Sequence, residues 1–90
     1  MLESFRAGKF KNDFVLAEKR HKDIDKLIEI MDMIIEEKPL PPERRNHPLH
    51  GEWDGAFDCH IQGDWVLIYE IDTETRTVTF HRTGSHSDLF

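Results

Sequence analysis

The sequence is short of cysteine, of positive charge and of long apolar runs. A single cysteine, Cys59, excludes an internal disulfide framework and any zinc site built on paired cysteines. That usage fits a reducing, cytosolic setting. No apolar run approaches the ~20 residues of a membrane span. The opening Met1-Leu2-Glu3-Ser4-Phe5-Arg6 lacks the basic flank and apolar stretch expected of a signal peptide. Of the five glycines, Gly55 and Gly63 are isolated, so a glycine-rich phosphate loop is not expected. Lys and Arg total 12 against 18 Asp and Glu, a net charge of −6. A chain that binds free nucleic acid usually has a basic surface, so this balance weighs against that class.

What is present points to one small globular domain over residues 1–90. Apolar residues make up 38% and charged residues 33%, which argues against a disordered chain. The charge is uneven. Residues 1–50 hold ten Lys/Arg and ten Asp/Glu, whereas residues 51–90 hold two and eight. The cations gather at Lys9, Lys11, Lys19, Arg20, Lys22, Lys26 and Arg44-Arg45.

Leu2 and Phe5 suggest a short edge strand. Phe10, Phe14 and Ala17 recur at helical spacing and predict a helix over about 9–20. Asp23 is placed to cap a second helix, whose apolar stripe is Ile24, Leu27, Ile28, Met31, Ile34 and Ile35. Pro39-Leu40-Pro41-Pro42 ends that helix near Lys38, because proline lacks the amide donor. Beyond residue 50 the period changes. Phe57–Ile61 alternates, Trp65–Ile71 is nearly all apolar and suits a strand buried on both faces, and Thr77–Arg82 alternates again. Gly84-Ser85 is expected to break this last strand. The predicted fold class is α+β, an N-terminal helical hairpin packed on a small antiparallel sheet.

The C-terminal third gathers proton-transfer groups. His60 and Asp64 flank one turn, and Arg82 and His86 lie four residues apart. His47 sits in a rigid histidine-proline turn. Histidine titrates near neutrality and can give or take a proton, while arginine can fork onto a phosphate. Together they can cleave a phosphodiester without a metal. His21, His50 and His81 read as surface or packing residues. Cys59 and His60 are strand neighbours pointing to opposite faces, so they do not form a nucleophile–base pair. A metal site is the rival use of six histidines, but no helix carries a His-x-x-x-His pair.

On these residues the chain resembles the YafQ branch of the RelE-type toxins of bacterial toxin–antitoxin pairs. The match lies in Lys19-Arg20-His21-Lys22-Asp23, Pro39-Leu40-Pro41, His47-Pro48-Leu49 with Gly51, and Cys59-His60-Ile61. It continues through Asp64-Trp65 with Leu67-Ile68-Tyr69, and Arg82-Thr83-Gly84-Ser85-His86-Ser87-Asp88-Leu89-Phe90. It spans residues 9–90, in order and with matching spacing. The resemblance implies a microbial-RNase-like domain that cuts messenger RNA in the ribosomal decoding site without a cofactor. It also implies a partner antitoxin that keeps the toxin silent and binds DNA through its own N-terminal domain. Val15 and Leu16 are candidate contacts for that partner. Carried over by position, the functional residues are His47, His60, Asp64, Arg82 and His86 for catalysis, and Trp65 and Phe90 for stacking on RNA. Which group is base and which is acid stays open. The alternative is a catalytically degenerate member that survives as an antitoxin-binding or autorepression partner. The departure from the family is charge, since a ribosome-binding toxin is expected to be basic.

Overall fold

The chain lays down an edge strand before its first helix. The structure, a computed structural model, describes residues 1–90. Strand β1 (Glu3–Arg6) is followed by helices α1 (Gly8–Lys19) and α2 (Ile24–Ile35). Then come the two-residue strand β2 (His47–Pro48), strands β3 (Phe57–Gln62), β4 (Trp65–Asp72) and β5 (Thr77–Ser85), and a final turn of helix, α3 (His86–Leu89). The strand order is β1-β5-β4-β3-β2.

Both long helices follow their apolar spacing. Phe10 and Ala17 of α1, and Leu27, Ile30, Met31 and Ile34 of α2, are buried. They share one core with Cys59, Ile61, Trp65, Leu67, Tyr69, Val78 and Phe80 from one face of the sheet. Asp23 caps α2 as expected, accepting the Lys26 N–H at 3.1 Å. Helix α2 stops at Ile35, ahead of the prolines. Glu37 turns left-handed at φ 61°, and the Glu37 and Lys38 amides close back onto the Ile34 and Met33 carbonyls. That strained residue is gripped by Arg76, whose Nη1 and Nη2 donate to its carboxylate at 2.8 and 2.6 Å.

The sheet departs from expectation in three ways. It is mixed rather than wholly antiparallel, because β1 runs parallel to β5, with Glu3 opposite Thr77 and Arg6 opposite Phe80. Parallel neighbours need a long crossover, and the entire intervening chain supplies it. Gly84-Ser85 does not break β5, since Gly84 pairs with Val66 and Ser85 with Trp65. The irregularity falls earlier: a register shift at Ile68/Tyr69 passes from Ile68↔Arg82 to Tyr69↔Phe80 and leaves His81 as the extra residue. The histidine-proline segment is also a strand, His47 facing Asp58 and Pro48 facing Phe57. Pro48 is tolerated because β2 is an edge. Strand β4 is buried on both faces as expected: Leu67 and Tyr69 enter the helix-side core, and Val66 and Ile68 are equally buried on the other side.

Candidate active site

Strand alternation decides which groups can meet. In β3, Cys59 and Ile61 enter the core, so Asp58 and His60 face away from the helices. His47 on β2 lies opposite Asp58. His60 shares a row with Val66 and Gly84, and His86 follows two residues beyond Gly84. The His60 and His86 ring centroids are 5.9 Å apart, and those of His86 and Phe90 are 5.0 Å apart. The His60 and His86 rings thus meet, and His86 in turn lies against Phe90, which is 55% exposed.

Beneath them lies Asp58, fully buried and with neither carboxylate oxygen hydrogen-bonded. Sequence reasoning missed it, although its position two residues before His60 in an alternating strand put it on the same face. Burial pushes its carboxyl above the usual range, and His47, His60 and His86 pull the other way. His47 Nδ1 is 3.0 Å from Asp58 Oδ1 and 2.7 Å from the Arg45 carbonyl. The ring N–H points at that carbonyl, which leaves the carboxylate near the ring without its hydrogen. Both oxygens only accept, so the neutral ring carries its proton on Nδ1 and keeps the Nε2 lone pair free.

Arg82 lies on β5, across the central strand from Asp58. Asp58, Ile68 and Arg82 are successive partners across three strands, so Arg82 stands two strand spacings, roughly 10 Å, from Asp58. Its guanidinium is clamped by Asp13 of α1, with Nε donating at 2.7 Å and Nη2 at 3.3 Å. The same carboxylate accepts the Thr83 N–H at 3.1 Å. Strand β1 ends at Arg6, and Asp13 takes up a β5 amide beyond that end. The Asp13 hydrogen bond raises the Arg82 pKa further, so the guanidinium stays charged while Nη1 remains free of the clamp. Asp13 was also missed, and no local signal points to it, because it lies 69 residues from Arg82.

The turn holds the next two candidates. The Asp64 side chain is exposed, and its backbone carbonyl accepts the His86 N–H at 3.0 Å. This anchors the start of α3, where Ser85 Oγ caps by accepting the Asp88 N–H at 3.2 Å. Trp65 does not offer a face for RNA stacking. It is 2% exposed, its Nε1–H donates to Thr83 Oγ1 at 2.8 Å, and Lys22 Nζ stands 6.0 Å from its ring centroid. Phe90 is the exposed aromatic of the cluster. His81 is held at 3.1 Å from Glu70, outside the group.

The arrangement can therefore move protons between three imidazoles and neutralise charge with one fixed guanidinium. Comparison with known proteins gives the family. The family model for the YafQ toxin, described as a bacterial toxin of type II toxin–antitoxin systems, matches residues 2–90. The mRNA interferase toxin YafQ of Escherichia coli K12 is 42% identical over 85 residues, covering 93% of this chain and 90% of that protein. The crystal structure of YafQ from E. coli BL21(DE3) superposes with a TM-score of 0.93 at 38% identity, covering 100% of this chain and 99% of that one. A YafQ chain in an E. coli DinJ–YafQ complex gives 0.92 at 40% identity, with coverage of 100% and 99%. The chain belongs to the YafQ family of toxins of bacterial type II toxin–antitoxin systems.

Proposed function

We propose that this protein is a messenger-RNA endoribonuclease toxin that cuts RNA on the ribosome by metal-independent acid–base catalysis. The observation that carries the proposal is the convergence of His47, His60 and His86 around Asp58, with His86 against the exposed Phe90. RNA brings its own nucleophile. The 2′-oxygen bonds to phosphorus as the bond from phosphorus to the 5′-oxygen breaks, leaving a 2′,3′-cyclic phosphate and a 5′-hydroxyl. One imidazole takes the 2′-hydroxyl proton and another, protonated, gives a proton to the departing 5′-oxygen. The His60 and His86 rings, 5.9 Å apart, are close enough to act on one phosphodiester. His47 Nε2 is the third proton site. Arg82, held charged by Asp13, faces the developing negative charge on the phosphoryl oxygens. Phe90 offers a flat ring to a base.

A DinJ–YafQ complex exists for a relative, and a partner antitoxin is the matching proposal here. Val15 and Leu16, 48% and 44% exposed on α1, are the apolar surface it would cover. The test is messenger cleavage on programmed ribosomes. His86→Ala and His60→Ala should each reduce kcat by about 10²–10⁴-fold. Both are outside the helix-side core, so thermal midpoints should stay near wild type. Full activity in either variant would remove that histidine from the site.

A further inference from the structure

Asp58 is the most anomalous residue of the chain. It is completely buried, and its two oxygens are the only buried side-chain polar atoms without a hydrogen bond. A buried carboxylate without donors costs free energy, and the fold gains nothing from its charge. Its neighbour across the sheet is Ile68, which is fully apolar and buried. The groups that respond to its charge come from every element around it. His47 Nδ1 on β2 stands 3.0 Å from Asp58 Oδ1, His60 lies two residues along the same face of β3, and the His86 ring of α3 is 5.9 Å from that of His60; all three favour the ionised form. Cys59 and Tyr69 point into the core, where burial pushes their ionisation up and Asp58 adds to the effect. The site histidines are therefore the groups that offset its charge.

We propose that Asp58 is a positioning residue of the active site, a buried anion shared by His47, His60 and His86 that holds these rings ready to carry a proton. It touches neither substrate nor reacting atoms. When an imidazole accepts the 2′-hydroxyl proton, the new positive charge forms beside a fixed negative one. The proton stays on the ring until that ring passes it on. The absence of hydrogen bonds is part of the device. A carboxylate saturated by backbone amides would already be neutralised, whereas this one keeps its full field for the histidines. The inference rests on the endoribonuclease reading for its catalytic consequence, but its electrostatic core does not.

The experiment separates the two. In the free protein, ring-proton NMR titrations of His47, His60 and His86 are compared between wild type and Asp58→Asn. Removing a neighbouring negative charge disfavours imidazolium, so the variant's titrations should move to lower pH. On programmed ribosomes, kcat should fall by about tenfold to a hundredfold with the acid limb of the pH profile displaced the same way. KM should be unchanged. The thermal midpoint at neutral pH should be equal or higher, because the amide carries no charge to bury. Asp58→Ser serves if the asparagine variant does not fold. Unchanged histidine titrations in a folded variant would overturn the proposal. So would an activity loss that tracks a lowered thermal midpoint with the pH profile intact. If wild type cleaves no messenger, the endoribonuclease reading fails while the NMR comparison still decides this one.

Discussion

Cys59 shows how much a single strand position determines. Burial, followed by the nearby Asp58 charge, pushes its thiol up to about 12. The thiolate is the reactive species, so at pH 8 only about one molecule in ten thousand carries it. A disulfide reagent added to native protein at that pH should label Cys59 only at the rate of global unfolding. In denaturant it should label at once. Fast labelling of the folded protein would mean that β3 opens locally, and with it the strand that carries Asp58 and His60. Trp65 makes the complementary point. Its type and place were readable, yet whether an aromatic beside a turn stacks on a ligand or fills the core depends on a partner 18 residues away, Thr83.

At the scale of elements, α3 is short but carries both His86 and, just beyond it, Phe90. Its seat depends on Gly84. A Cβ there would meet Leu89 Cδ2 at 3.4 Å and Asp88 Cβ at 3.6 Å, which is ordinary contact. Gly84→Ala should therefore keep activity near wild type. Gly84→Val adds two methyl groups against Leu89 and should cost about 1–3 kcal/mol of overpacking in urea melts. It should also tilt α3 away from β5, so messenger cleavage should fall at least tenfold with every catalytic side chain still present. Equal activities in the two variants would show that α3 is not held by this contact. The elements were legible to the extent that their pattern is local. The α2 stripe, the Asp23 cap and the all-apolar β4 follow from spacing alone. The parallel seat of β1, the bulge at His81 and the Asp13 clamp on Arg82 join distant parts of the chain, and no window of sequence contains them. Gly84-Ser85 misled for a related reason. Glycine disfavours a strand locally, but here pairing of Gly84 with Val66 on the neighbouring strand carries β5 through it.

For the whole molecule the difficulty is charge, since a net −6 opposes an RNA backbone. The distribution in space offers a way through. Lys26, Arg44 and Arg45, with Glu43, line a recess that includes His60, Gln62 and Gly63. None of these three cations is paired with an acid, whereas Arg20, Arg76, Arg82 and Lys38 are. Arg44 is fixed by donating from Nη1 to the Ile61 carbonyl at 2.6 Å, and Arg45 takes a left-handed φ of 47°. Lys26 and Arg45 are therefore the cations free to meet a phosphate next to the cleaved bond. Cleavage by Lys26→Glu/Arg45→Glu should show a lower kcat/KM at low salt, with kcat largely kept. If each residue contacts one phosphate of single-stranded RNA, the double variant should flatten the slope of log kcat/KM against log salt by roughly 1.4. Single variants should each give about half of that. An unchanged slope would place the RNA elsewhere, with the acidic body of the protein overcome by ribosomal contacts remote from His60.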